Sequence, residues 1–317
     1  MVDLKGRVAV VTGAGRGIGR AHALHLARLG ASVVVNDLGV AINGGPEDGS
    51  PAQDVVAEIE AAGGAALAST DSVASAEGGA AAVAAAVEGF GRIDLLVHNA
   101  GIVGAAPVAT QAWDEVEAVL AVHLLGSYHL VRPAWPLMAE QGYGRIVLTT
   151  SGAIFGHPMV HAYAAAKAGV VGLTRSLAME AAMGGLDIKV NSVAPIGATR
   201  MARDEQKARW GDLMDPDAVS AAVAYLCSDG CAVSGETFHA GGGHIGRIAL
   251  GITRGWAKGE PGVTADEVGQ HIDEAMDLGD LVVPPNTNAM TDFIYSVATG
   301  RTDALSGAEV LPTEARR

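Results

Sequence analysis

The chain is short of basic residues, cysteine and aromatic residues, and each shortage closes off a class of function. It carries 21 Lys and Arg against 35 Asp and Glu, a formal net charge of −14. Nucleic acid and anionic membranes want a basic surface, so neither is expected as a partner. A phosphate-bearing ligand must then be held by helix N-termini and a few local basic residues. The two cysteines, Cys227 and Cys231, lie four apart in a stretch that reads as helix. No His or Cys stands at ligand spacing from them, so they are expected to be small buried residues, and no metal site is expected. No apolar run approaches the ~18 residues of a membrane span. The first apolar strand begins by Val8, which leaves no room for a signal peptide and makes a cytoplasmic setting the expectation. Aromatic residues are 4% of the chain while glycines number 43, a composition suited to tight helix-on-sheet packing. With 49% apolar residues the chain does not look disordered, and 317 residues can bury a large core.

What the sequence has in quantity is alternation. Apolar β runs over 7–11, 32–35, 65–69, 93–97, 145–150, 188–193 and 236–240 are separated by helical stretches. Those stretches run through Leu29 and then over 52–62, 76–90, 113–138, 162–179 and 215–228. Strands apolar on both faces, each followed by a helix, imply an α/β fold with a Rossmann-type doubly wound parallel sheet. The pattern changes after Gly246, where a capped helix begins near Thr264 and the residues beyond about Gly300 are polar. The expected organisation is one domain, 1–245, with a C-terminal helical extension, 246–317, packed on it and mobile at its end. His22 and His25, three apart on the first helix, are expected at the surface or partly packed.

The first strand runs into Thr12-Gly-Ala-Gly-Arg-Gly-Ile-Gly19. Glycines let a backbone approach a pyrophosphate, and the following helix N-terminus offers N–H donors. The spacing is Thr-Gly-x-x-x-Gly-Ile-Gly rather than Gly-x-Gly-x-x-Gly, since Ile18 stands where the third glycine would be. The second strand ends in Asn36-Asp37, about 20 residues on. A carboxylate there accepts the adenosine ribose hydroxyls and repels a 2′-phosphate, so Asp37 points to NAD rather than NADP. The connection after it, residues 38–51, is long for an α/β unit. Asp71 and Asn99 stand at the ends of later strands, where ligands collect in such sheets.

Ser151 ends the fifth β run, and Tyr163-x-x-x-Lys167 follows on a proline-free, Ala-rich helix. Residues four apart share a helix face, about 5–6 Å between Cβ atoms. An ammonium beside a phenol favours the phenolate, so the Tyr163 pKa is expected to fall toward neutrality, as suits proton exchange with an alcohol or carbonyl.

Together, Thr12 to Gly19, Asp37, Asn99-Ala100-Gly101, Ser151, Tyr163-x-x-x-Lys167 and Asn191 to Pro195 resemble the short-chain dehydrogenase/reductase family over about residues 5–245. Within it, Val33 to Gly39, Val122-His-Leu, Gly144-Arg-Ile, Ala194-Pro-Ile, Thr199-Arg-Met and Gly243-His-Ile-Gly resemble the (3R)-hydroxyacyl-CoA dehydrogenase branch. The resemblance implies that Tyr163 is the general acid/base, that Lys167 tunes it and holds the nicotinamide ribose, and that Ser151 bonds the substrate oxygen. His123 stands where the family has an asparagine that anchors a water relay, and is counted with the catalytic set. Ser151 is twelve residues before Tyr163, where thirteen is usual, so Thr150 competes for its role.

The cofactor surface the resemblance implies is built from Gly13, Gly15, Arg16, Gly17, Ile18 and Gly19 of the turn, and Asp37 and Leu38 after the second strand. It continues through Asp71 and Ser72, then Asn99, Ala100 and Gly101, and ends at Tyr163, Lys167, Pro195 and Gly197. The expected activity is NAD-dependent interconversion of a secondary alcohol and a ketone, with a small-molecule substrate, acyl-CoA or steroid-like, and a 3-hydroxyacyl-CoA leading. A 17β-hydroxysteroid dehydrogenase, a 3-oxoacyl thioester reductase and a non-catalytic NAD-binding sensor are the alternatives. Arg200, Arg203, Lys207, Arg209, Arg247, Arg254 and Lys258 could meet CoA phosphates. A homodimer or homotetramer is expected by analogy.

Overall fold

A computed structural model of the chain describes residues 2–45, 49–197, 204–279, 281–300 and 309–310. By its internal contacts the chain forms two compact units, residues 1–247 and 248–317.

The first unit is built on an eight-stranded sheet, ordered β3-β2-β1-β4-β5-β6-β7-β8. The strands are β1 (Val8–Thr12), β2 (Ser32–Asn36), β3 (Ala66–Ser69), β4 (Leu95–His98), β5 (Gly144–Thr149), β6 (Ile188–Pro195), β7 (Thr237–Gly241) and β8 (His244–Ile248). Each of the pairings from β3 across to β7 is parallel. Helices α1 (Gly17–Arg28), α2 (Pro51–Ala61), α3 (Ala76–Phe90), α4 (Trp113–Leu120), α5 (Gly126–Gln141), α6 (His161–Met183), α7 (Asp204–Trp210) and α8 (Pro216–Leu226) connect them.

Alternation along β1 explains the layering. Ala9 and Val11 pack with Leu26 of α1, Val55 of α2 and Val223 of α8 on one face. Val8 and Val10 pack with Val83 of α3, Leu130 of α5 and Val170 of α6 on the other. Successive residues of a strand point to opposite faces, so a β1 apolar from Val8 to Val11 needs helices on both sides, as the sequence indicates. Each buried Val or Leu contributes about 1.5–3 kcal/mol. The strand order reverses between β1 and β4, and a crevice forms beyond the C-terminal ends of strands at such a switch point.

Several local expectations are corrected. The helical stretch from Trp113 is interrupted by a π-helical turn, Ala121–Leu125, between α4 and α5. Helix α8 stops at Leu226, so Cys231 lies in the loop after it; both thiols are buried and free. His22 is buried rather than superficial, because α8 packs over α1 and brings Ser220 Oγ to 2.8 Å from its Nδ1. The edge strand β8 and helix α7 carry no apolar periodicity that would have revealed them.

In the second unit, α9 (Ala265–Gln270) starts at the expected capping box, in which Thr264 Oγ1 accepts from Glu267 N and the Glu267 carboxylate accepts from Thr264 N. Helix α10 (Ile272–Met276) follows, and β9 (Val282–Val283) pairs antiparallel with β10 (Glu309–Val310). Helix α11 (Thr287–Thr299), capped by Asn286, is a further element that the sequence pattern does not announce. Among the described residues no helix is long and apolar enough to cross a membrane.

Candidate active site

A cleft of about 710 Å³ opens at the C-terminal ends of β1, β2, β4, β5 and β6. Gly13, Arg16, Gly17 and Ile18 line it from the first turn, Asp37 and Leu38 from the end of β2, and Asp71 and Ser72 from the end of β3. Asn99, Ala100 and Gly101 follow β4; Ser151 follows β5; His123, Tyr163 and Lys167 come from the helices; Pro195 and Gly197 come from β6 and beyond.

Gly15 and Gly19 are not among the lining residues; internal packing requires them instead. A Cβ on Gly15 would stand 2.6 Å from Pro51 Cβ, and one on Gly19 would stand 2.0 Å from the Gly13 carbonyl oxygen. Helix α1 has no side-chain hydrogen-bond cap at Arg16, and its first residues, Gly17 and Ile18, line the cleft. Asp37 accepts hydrogen bonds from Gly15 N and Gly39 N, each at 2.8 Å, and these hold its carboxylate at the end of β2. The long connection after β2 folds back over the cleft: Val103 N donates to Ile42 O at 3.0 Å, and Val40, Ala41 and Ile42 join the lining. Only its unusual length signalled a role.

Tyr163 and Lys167 occupy one face of α6, as their spacing requires. Lys167 is 2% exposed, donates from Nζ to Thr149 O, and lies 5.7 Å from the Tyr163 ring centroid. Burial brings its pKa down to about 7. Burial pushes the Tyr163 phenol up from its ordinary value, with the Ser151 side chain pulling in the opposite direction. The expected phenol acidified by Lys167 is therefore not met within the protein alone; desolvation outweighs the Ser151 hydrogen bond here. Thr150, the competitor of Ser151, is buried and donates its hydroxyl to Lys167 O at 2.7 Å. Ser151 Oγ accepts from Ala153 N at 3.1 Å and keeps its proton for another partner.

His123 is 1% exposed, and its Nε2 lies 2.7 Å from Ile102 O. Its Nδ1 is buried without a hydrogen-bond partner, and burial, then the Lys167 charge, hold its pKa well below the usual value. Sequence reasoning missed two polar groups beneath the cleft, Thr12 and His98. Thr12 Oγ1 lies 2.8 Å from His98 Nδ1 and accepts from Asn99 N and Ala100 N, both at 3.1 Å. Their signal was a polar residue at the end of each of two otherwise apolar strands.

Three of the seven basic residues expected to meet CoA phosphates are paired with carboxylates. Lys207 pairs with Asp204 at 3.5 Å, Arg247 with Glu236 at 2.7 Å and Lys258 with Glu267 at 2.7 Å. Arg200 and Arg203, like the Thr199-Arg-Met segment, lie outside the described residues. A second cavity of about 660 Å³ lies within residues 248–317, lined by Trp256, His271, Phe293, Arg254 and Lys258 among others.

A helix N-terminus, a strand-end carboxylate and a buried Tyr–Lys pair around one crevice fit a nicotinamide dinucleotide, and define a dinucleotide-binding α/β protein. The family model described as short chain dehydrogenase matches residues 7–210. A short-chain type dehydrogenase/reductase of Mycobacterium tuberculosis is 45% identical over 251 residues, 79% of this chain and 87% of its own. Peroxisomal multifunctional enzyme type 2 of Mus musculus is 40% identical over 254 residues, 79% of this chain, which spans 34% of that enzyme. A hydroxyacyl-CoA dehydrogenase of M. tuberculosis is 40% identical over 255 residues, 74% of this chain and 77% of its own. The crystal structure of a short chain dehydrogenase from Mycobacterium avium superposes with a TM-score of 0.74 at 40% identity, covering 86% of this chain and 95% of that one. The chain belongs to the short chain dehydrogenase family and is an oxidoreductase of that class, whose members bind NAD or NADP.

Proposed function

We propose that the protein is an NAD-dependent dehydrogenase that interconverts a secondary alcohol and a ketone, with a 3-hydroxyacyl-CoA as substrate. The observation that carries the chemistry is the convergence of Ser151, Tyr163 and Lys167 on one cleft. The Asp37 carboxylate at the ribose end supports NAD, since a 2′-phosphate there would meet a negative charge. The names of two relatives, a hydroxyacyl-CoA dehydrogenase and a multifunctional enzyme, support the thioester class.

In this reading Ser151 donates its hydroxyl proton to the substrate oxygen and fixes that oxygen beside the Tyr163 phenol. Tyr163 takes the alcohol proton during oxidation and returns it during reduction. Lys167 holds the ribose hydroxyls and, in its charged form, favours the phenolate. The cofactor supplies the hydride acceptor when bound. Apolar walls from Val103, Ala105 and Val160 exclude water around the reacting carbon.

The test is absorbance of reduced nicotinamide with NAD or NADP, using (3R)- and (3S)-hydroxyacyl-CoA and a 17β-hydroxysteroid. Turnover of a hydroxyacyl-CoA with NAD, lost in Tyr163→Phe, is expected. Turnover of the steroid alone moves the substrate class, preference for NADP overturns the role of Asp37, and NAD binding without turnover of any alcohol leaves a sensor.

A further inference from the structure

We infer that His98 is a positioning residue, a neutral imidazole locked as its Nε2–H tautomer, that ties the cofactor turn to the helix wall behind Tyr163. The structural link rests on geometry; its consequence for turnover rests on the reading just given.

Hydrogen-bond counting decides the tautomer. The Thr12 hydroxyl has one proton and two lone pairs. Both lone pairs are taken, by Asn99 N and Ala100 N at 3.1 Å each. Its proton is left for His98 Nδ1 at 2.8 Å, so Nδ1 is an acceptor and the ring proton sits on Nε2. From there it is donated to Val122 O at 3.1 Å. The ring is 2% exposed, and burial with the nearby Lys167 and His129 keeps it neutral, its pKa down to about 3. A second ring proton would face the Thr12 hydroxyl proton.

Val122 lies inside the π-helical turn, and the next residue is His123. His123 reaches Ile102 O through Nε2 at 2.7 Å and meets the Tyr163 ring edge to face, centroids 5.0 Å apart at 90°. A Cβ on Gly126, at the start of α5, would stand 3.3 Å from His98 Nε2, so the helix is seated closely on this ring. One imidazole therefore joins the ends of β1 and β4, which carry Gly13 and Asn99, to the turn that sets the surface under the phenol. A merely space-filling residue would need neither nitrogen.

The two bonds can be cut separately. Asparagine places its side-chain oxygen near the Nδ1 position, and glutamine its side-chain nitrogen near Nε2. His98→Asn keeps the Thr12 bond and releases Val122; His98→Gln does the reverse. With ¹⁵N-histidine-labelled protein and no substrate, His98 is expected to show an unprotonated Nδ1 and a protonated Nε2, without titration between about pH 5 and 8. The His123 signals are expected to shift in His98→Asn and to stay in place in His98→Gln. In turnover with NAD, His98→Asn is expected to lose about tenfold or more in kcat with little change in KM for NAD, and His98→Gln to raise that KM with the smaller loss of kcat. An Nδ1–H tautomer, or titration near the usual histidine value, would overturn the inference in the wild-type protein alone. Unshifted His123 signals in a folded His98→Asn variant would overturn the link to the turn. The spectra need no turnover, so they decide the inference even if no hydroxyacyl-CoA is oxidised.

Discussion

The rings of His123 and Tyr163 meet edge to face, 5.0 Å between centroids and perpendicular. The histidine stays neutral in that contact, because burial and the Lys167 charge both oppose its protonation. Tyr163 thus rests on an uncharged wall, with Ser151 on its open side as the group that favours its ionised form.

That division of labour separates Ser151 from its neighbour. Ser151→Ala is expected to lower kcat by about 10²–10³-fold, the cost of removing one donor to a developing oxyanion. Thr150→Ser retains the bond to Lys167 O and is expected to stay near wild type. Steady-state kinetics on the two variants decides this, and equal losses would sink the assignment of Ser151.

Asp37 accepts one bond at each oxygen, from the Gly15 and Gly39 amides, and has further lone pairs that the proposed function assigns to ribose hydroxyls. Asp37→Ala is expected to raise KM for NAD about tenfold or more, the loss of charge-assisted bonds, and to shift the preference toward NADP. Titration with both cofactors reads it; an unchanged KM for NAD would remove Asp37 from the cofactor site.

Acid should destabilise the protein through its buried histidines. His22 and His98 have pKa values brought down to about 3, mainly by burial, against 6.5 as the unperturbed value. Above 6.5 both states are neutral and nothing is lost. Below it the unfolded chain binds protons the folded chain refuses, so stability falls as pH drops from 6.5 toward 3. Each group costs about 1.4 kcal/mol per pH unit inside that window. Urea unfolding between about pH 6 and 4.5 should show a slope shallower by one such increment in His22→Leu, and an unchanged slope would mean that His22 is charged in the folded state.

At the opposite, N-terminal ends of the strands, Asp94 is 0% exposed and accepts from Arg7 at 3.1 Å, from Arg92 at 2.6 and 2.7 Å, and from Val8 N at 3.0 Å. Asp94→Ala removes the partner of the buried Val8 N and loosens two partly exposed arginines, and is expected to cost about 1–3 kcal/mol of stability. The cluster sits at the N-terminal end of β4, away from the cleft, so affinity for NAD in the folded variant should not change. Calorimetry paired with a binding titration tests both halves.

The sequence by itself determined the strand and helix succession, because buried strands and amphipathic helices write their periods into consecutive residues. It determined the Thr12 to Gly19 turn, the carboxylate at 37 and the Tyr163–Lys167 face for the same reason: each is a short-range relation. Only the tertiary structure decided what those groups experience. His22 is buried by Ser220, 198 residues away; Thr12 and His98 are joined across 86; and Lys167 is left 2% exposed by the packing of the fold. The expected acidic tyrosine failed on that account, since spacing gives the distance to a charge but not the solvent removed from it. Edge strand β8 and the π-helical turn were illegible because neither is specified by an apolar period; the pairing with β7 places the one, and the seating of helix α5 on His98 accompanies the other.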